Sequence, residues 1–300
     1  MSEPLERRVG AMLGREVRPE VAALARQLGE QSGALAVLFY GSNLRTGSLE
    51  GVLDFYILLP GRPETGLWPR VSYREIDDAA SGERLRAKIA TMTLAKFAAA
   101  ARGETLDTTI WARFVQPSAL LWARDDATRQ DVERAVADAA RTAARLAAAL
   151  GPEEGRPEDY WRALFRATYR AELRVERPGR ENSILEANPA HFDGLLRAAL
   201  VSAGVPFADL GGRIAPRLSD AERNRLHRWW SLRRRLGKPL NLARLARATA
   251  TFDGAARYGA WKLERHTGIA VELTPWRERH PILAAPKALW GVWREMRRRT

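Results

Sequence analysis

The chain of 300 residues contains no cysteine, which excludes disulfides and thiolate metal sites outright. Histidine occurs only at His191, His227, His266 and His280, and these do not form a metal-binding pattern such as H-E-x-x-H. Long apolar runs are missing as well. No stretch approaches the roughly 18 uninterrupted apolar residues that a bilayer-spanning helix needs. The first residues, "MSEPLERRVGAML", mix acids with bases around a short apolar stretch, which does not read as a secretory signal. Acids are the scarcer charge: 36 Asp and Glu against 49 Lys and Arg leave a formal +13. Such an excess favours an anionic partner: nucleic acid, an acidic membrane surface or a phosphorylated substrate. The expectation is a soluble or peripheral protein, cytoplasmic and attached at the inner face of the membrane.

What is present suggests two folding units and a tail. Residues 17–29 have the apolar spacing of an amphipathic helix, with Pro19 early and Gly29 near the end. "ALAVLFY" (34–40) and "VLDFYILL" (52–59) read as buried strands around a polar loop, and 70–76 and 86–92 as two more. A short helix over 94–101 and a strand region within "TIWARFVQPSALLW" complete an α/β pattern with a mixed sheet over 1–124. From 125 the periodicity turns helical, over 125–150, 157–174 and 189–203, which predicts a mainly helical domain over 125–274. Positive charge gathers in the C-terminal half. Residues 213–247 hold eleven Lys or Arg against two acids, with Trp229 and Trp230 among them.

One stretch carries chemistry: "LFYGSNLRTGSLEGVLDFYILL", residues 38–59. A strand ending in Gly41-Ser42 offers backbone N–H groups and a hydroxyl to a triphosphate, with glycine allowing close approach. Asp54 stands inside an apolar run, where an ionised carboxylate is costly without a metal or a cation. An aspartate there can hold Mg²⁺ against nucleotide phosphates. Many nucleotidyltransferases carry a second acid two residues on; here that place is Tyr56. The plain alternative is a strand, a polar hairpin and a strand with an incidental acid.

A lone aspartate followed by aromatic and apolar residues resembles the mitochondrial translocator assembly and maintenance family, a branch of the nucleotidyltransferase superfamily, in a bacterial-type form. "FYGSNLRTGSLEGVLDFYILL" is similar to that family's Tyr-Gly-Ser start and Asp-centred strand. "ERLRAKIATMTLAKF", "TIWARFVQP", "ATYRAELRVE" and "NPAHF" follow in the family's order over about 34–195, with an echo at "KLERHTGI". Glu172 stands where the family pattern has an aspartate, and the chain past 270 shows little likeness. The family's members are CTP:phosphatidate cytidylyltransferases. The resemblance implies CTP and phosphatidate as substrates and Mg²⁺ as cofactor, with Asp54 and Lys88 catalytic. It implies Tyr40, Gly41, Ser42 and Arg113 at the nucleotide, and Asp54 with Glu172 at the metal. Tyr169, Arg174, His191, Lys262, Arg265 and His266 would face the lipid phosphate.

Each of these residues also has a plainer reading. Lys88 suits a solvent-facing position on a half-exposed strand. Arg113 could pair with Asp107 or Glu104 instead of a phosphate, and Glu172 with Arg174 could form a surface ion pair. His191, after Asn188-Pro189, could orient a helix, and 262–266 could be a solvated turn before a strand "IAVEL". In "PKALWGVWREMRRRT" a Leu/Val/Trp/Met face is lined by arginines, the pattern of an interfacial helix. This predicts a basic, membrane-associating tail over 275–300, unless Trp290 and Trp293 dock on the protein's own core. The leading expectation is therefore phosphatidate cytidylyltransfer at an anionic membrane surface. The alternatives are nucleotidyl transfer to RNA or protein, with nucleic acid the disfavoured partner, or a non-catalytic membrane-bound relative.

Overall fold

Strand-forming residues in the first 123 positions alternate between two apolar faces, and this alternation organises a three-layer α/β unit. The computed structural model describes residues 3–66, 69–77, 82, 84–171, 180–251, 254–269, 273–279, 290 and 294. Side chains at 180–181, 245–246, 248–251, 255, 262, 266 and 279 fall outside that description. The elements begin α1 (Leu5–Leu13), α2 (Pro19–Ser32), β1 (Ala36–Tyr40), α3 (Ser42–Thr46), β2 (Leu53–Leu59), β3 (Arg70–Asp77) and β4 (Arg84–Thr93). They continue with α4 (Leu94–Ala101), α5 (Thr109–Phe114) and β5 (Ser118–Ala123). The sheet order is β3-β4-β2-β1-β5, with β2 and β4 parallel and the other neighbours antiparallel.

Val37, Phe39, Phe55, Ile57 and Ile89 point to one face and pack under α2. Gly29 lies inside α2, and the Trp122 ring of β5 comes within 2.6 Å of where its Cβ would stand. Glycine is therefore needed there for close crossing, and the helix runs on to Ser32 beyond the expected end. The opposite face, with Leu38, Tyr56, Leu58 and Met92, packs against a helical layer.

That layer centres on α6 (Asp126–Leu150), whose Asp125 side chain caps it by accepting from the Thr128 N–H at 2.7 Å. Its buried positions are mostly alanine, which lets helices approach on several sides. Then come α7 (Pro157–Ala171), α8 (Arg180–Glu186), α9 (Pro189–Phe192), α10 (Leu195–Ser202), β6 (Phe207–Asp209), β7 (Ile214–Pro216), α11 (Asp220–Thr251), α12 (Ala255–Thr267) and α13 (Pro275–Arg279). One buried cluster joins Leu38 and Tyr56 of the sheet to Val132, Trp161, Leu196 and Trp230. Position 124 thus marks a change in composition, while the core continues across it.

Three local expectations are corrected. Thr109–Phe114 is helix, not strand, because Ile110, Trp111 and Phe114 recur at helical spacing; Val115 and Gln116 then turn, with the Gln116 N–H on the Arg113 carbonyl, before Pro117 leads into β5. The 189–203 helix is split at Asp193-Gly194, where Arg8 donates to the Asp193 carbonyl. Lys262 to His266 lie in α12 instead of a turn. Among the described residues no helix is long and apolar enough to cross a membrane. Of the tail expected over 275–300, α13 and the single residues Trp290 and Arg294 are described, and Trp290 is exposed with the Arg294 guanidinium 5.9 Å from its ring centre. The remainder of the proposed amphipathic helix lies outside the described residues.

Candidate active site

Strand register assembles the site. Tyr40 of β1 pairs with Asp54 of β2, Asp54 with Lys88 of β4, and Lys88 with Tyr73 of β3. Register partners project to the same face, so these four side chains form one row across the sheet. The row sits one step beyond the apolar row of Leu38, Tyr56 and Ala90, on the face of the helical layer. Gly41 follows β1 with φ 95° and ψ −163°, backbone that is essentially glycine-only. A Cβ on Gly41 would stand 3.1 Å from Asp54 Oδ2. The turn and the carboxylate therefore touch, and Ser42 opens the short α3 beside them. Asn43 is buried and donates to the Ser48 and Glu50 carbonyls at 2.8 and 2.7 Å, which holds the loop that returns to β2.

Gly41→Ala is accordingly expected to cost about 1–3 kcal/mol of stability from backbone strain. It should also displace Asp54, and with it any nucleotide binding that depends on this carboxylate. Chemical denaturation and nucleotide titration of the variant check this; wild-type values in both would remove Gly41 from the site.

Burial is the largest influence on Asp54 and raises its pKa, against the opposing pull of Lys88 and Arg113 and a hydrogen bond from Tyr40. Tyr40 itself is pushed well above the usual phenol range by burial, so it remains a donor to the carboxylate. Arg113 Nη1 donates to Tyr40 Oη at 3.3 Å and to Tyr56 Oη at 3.1 Å, and its guanidinium lies over the Tyr40 ring. Tyr56 occupies the place where a second acid is expected, and it is bound to an arginine there. Behind it the Asp107 carboxylate pairs with Arg244 of α11 at 2.6 Å, and both charges act on Tyr56. The alternative ion pairs for Arg113 are thus taken otherwise: Asp107 goes to Arg244, and Glu104 to Arg102.

The C-terminal helix α12 comes to the same edge. Tyr258 stacks near Trp261, packs on Tyr73, and has its pKa raised by burial and then by the Asp54 charge. Trp261 has the guanidinium groups of Arg86 and Arg265 at 5.6 and 5.4 Å from its ring. Arg265 Nη1 reaches within 2.8 Å of the Cβ position of Gly51, in the loop before Asp54. Sequence pattern pointed to Lys262, Arg265 and His266; Tyr258, Trp261 and Tyr73 were missed because only strand pairing and helix docking bring them to Asp54. Lys262 and His266 lie on α12 with their side chains outside the described residues, as do Glu172 and Arg174 entirely. Tyr169 is part-buried near the end of α7, packed against the main core.

His191 takes a different position. Its imidazole is buried, with Nε2 2.8 Å from the Val115 carbonyl oxygen. A carbonyl only accepts, so Nε2 carries the proton and donates. Burial lowers its pKa from 6.5 to about 4, with Arg15 and Arg8 adding to the shift. A neutral, internally bonded imidazole orients the turn after α5, and does not offer a cation to a phosphate at neutral pH. In the unfolded chain it protonates near 6.5, in the fold only near 4, so stability is lost as pH falls through that window. The loss amounts to about 3 kcal/mol. Denaturation at pH 6.5 and 4 should show it in wild type and a correspondingly smaller loss in His191→Gln; equal losses would disprove the burial effect.

Two clefts of about 390 and 290 Å³ lie among the described residues. The larger is lined by Arg102, Arg145, Arg225 and Trp229, and the smaller by Tyr73, Gly254, Arg257 and Glu278. The smaller thus adjoins the row at Tyr73, and the chemistry of the row identifies the site. No protein-family profile matches the chain, and no curated protein matches it either.

Proposed function

We propose that the chain is a Mg²⁺-dependent nucleotidyltransferase that transfers the cytidylyl group of CTP to phosphatidate, forming CDP-diacylglycerol and pyrophosphate. One observation carries most of the reading: Tyr40, Asp54 and Lys88 share a register row beside the Gly41-Ser42 turn, with Asp54 in contact with it. The five-stranded mixed sheet is compatible with a nucleotidyltransferase-type fold.

Mg²⁺ at a nucleotide usually takes one or two protein carboxylates and completes its shell with phosphate oxygens and water. Asp54 fits that limited share. Among the described residues no group of three or more acids and histidines exists to form an all-protein cage. When bound, the ion would supply charge neutralisation at the triphosphate. Lys88 would face the same phosphates, and Ser42 and the Gly41 backbone would orient them.

A phosphatidate oxygen attacks the α-phosphorus in line, forming the new P–O bond. The α–β anhydride bond breaks and its electron pair leaves with pyrophosphate. The nucleophile is already ionised near neutral pH, so positioning and charge neutralisation dominate over proton transfer. The decisive experiment incubates the purified protein with radiolabelled CTP, Mg²⁺ and phosphatidate vesicles. A lipid-soluble cytidine product is expected. CTP binding without product would move the reaction to another acceptor, and absence of CTP binding would end the catalytic reading.

The second reading is a non-catalytic membrane-bound relative, which Tyr56 held by Arg113 in the second acid's place favours. Transfer to RNA draws less support: Trp230 is buried, and Trp229, which packs on Trp111, is left only partly accessible at the wall of the larger cleft.

A further inference from the structure

Helix α11 contains no acid after Glu222, although it runs to Thr251. Its inner side is built for packing. Trp230 is buried, and Arg233 lies beneath the surface with its guanidinium 3.7 Å from the Trp229 ring centre. Arg233 donates to the Gly103 and Thr105 carbonyls at 2.7 Å each, and burial lowers its pKa to about 10. Gly237 meets the Ala171 carbonyl so closely that a Cβ would stand 2.4 Å from it. Together with Arg244 at Asp107, these contacts settle which side of the helix faces in.

The outward side is unusual for a surface helix. At 3.6 residues per turn, Arg228, Leu232, Arg235 and Leu242 share one side, opposite Trp230, Arg233 and Gly237. Leu236 and Lys238 flank it. Leu232, Leu236 and Leu242 are 50, 38 and 59 % exposed. Arg228, Arg235 and Lys238 are exposed beside them. The outward face carries leucines and no aromatic ring, which is not what a single-stranded nucleic acid would need there. Leucines ringed by bases, with no acid among them, match the requirements of an anionic bilayer interface.

We propose that this outward face of α11 is a docking surface for anionic lipid, with the leucines entering the headgroup boundary and the bases meeting lipid phosphates. The proposal extends the lipid-acceptor reading above by naming the protein face that meets the bilayer. It also moves membrane attachment from the extreme tail to a helix anchored in the core. The anchoring has a consequence for geometry, since Arg244 ties the same helix to Asp107 behind Tyr56. A bilayer held by α11 is thus held at a constant distance from the Asp54 row.

The test is co-sedimentation of the full chain with phosphatidylcholine vesicles containing phosphatidylglycerol, without CTP or phosphatidate. Each base near an anionic leaflet is worth about fivefold in partitioning. Arg228→Glu with Arg235→Glu is therefore expected to weaken binding at least tenfold. Leu232→Gln with Leu236→Gln should weaken it several-fold on the same vesicles. All four positions are exposed, so thermal melts should match wild type. Arg129→Glu with Arg134→Glu on α6, an equal charge change on another exposed surface, should have a small effect. Wild-type vesicle binding by both α11 pairs would overturn the proposal, as would an equal loss in the α6 pair. Binding of single-stranded RNA by wild type, lost in the arginine pair, with no vesicle binding, would replace lipid by nucleic acid. Since the vesicles lack both substrates, docking can hold without cytidylyltransfer, and cytidylyltransfer can hold without docking.

Discussion

On the proposed function, Asp54→Asn is expected to lower formation of CDP-diacylglycerol about 10³-fold or more, while leaving the folded protein at least as stable as wild type at pH 7. The loss of activity follows from removing the one described carboxylate that touches the Gly41 turn, where charge neutralisation of the triphosphate is the main catalytic demand. The stability half follows from the direction of its pKa. Burial raises Asp54 above the ordinary 3.8, so the fold favours the protonated form more than the unfolded chain does. Between 3.8 and the raised value the unfolded state binds fewer protons, and stability falls as pH increases through that window. Above it the penalty for the buried charge is fully present, and the neutral asparagine lacks it. Below 3.8 the aspartate is protonated in both states, and the advantage of the variant disappears. Thermal melts from pH 3 to 8, with and without Mg²⁺ and CTP, separate the two effects. The ligands should raise the melting temperature of wild type alone. Full turnover in Asp54→Asn would remove this residue from the metal, and a variant less stable than wild type at pH 7 would refute the desolvation argument.

The second large effect concerns the ion pair behind Tyr56. Asp107 is 4 % exposed and accepts from Arg244 Nη1 at 2.6 Å, Thr109 Oγ1 at 2.8 Å and the Thr109 N–H at 3.2 Å. Removing the cation from a buried pair costs about 3–5 kcal/mol, because the remaining charge stays out of water without compensation. Arg244→Met is expected to destabilise the protein by that amount. Asp107→Asn in the same chain should recover most of it, since the stranded charge is then gone and the Thr109 bonds remain. Urea denaturation of the single and double variants forms the test. A single variant within about 0.5 kcal/mol of wild type, the range of ordinary surface changes, would contradict the burial of this pair. The single variant should also weaken CTP binding, because an uncompensated Asp107 competes for Arg113, which otherwise holds Tyr40 and Tyr56.

Much of the secondary structure was legible because its signals are local. The runs "AVLFY" and "LDFYILL" are too short and too rich in branched and aromatic residues for helices, and Asp125 followed by alanine-rich periodicity marks a helix start. "TIWARF" misled because a six-residue apolar segment fits either period, and its burial against Trp229 and Trp230 decides for helix. For His191 the sequence left two readings open, orienting a helix or meeting a phosphate, because nothing adjacent in the chain announces the Val115 carbonyl that accepts from it.

The sequence alone determined that there is no thiol chemistry, that positive charge is concentrated in the C-terminal half, and that a Gly-Ser pair precedes an apolar run bearing one acid. These follow from composition and from spacing within a few residues. Only the tertiary structure decided what Asp54 stands beside. Lys88 reaches it because β4 inserts between β2 and β3, and Tyr258 because α12 returns to the sheet from some two hundred residues away. The same holds for α11, where arginines occur on every side. The contacts of Arg233, Gly237 and Arg244 turn part of that charge inward as structural pegs and leave leucines and the remaining bases facing out. Register and helix rotation are set by contacts between distant residues, and one-dimensional spacing carries no information about them.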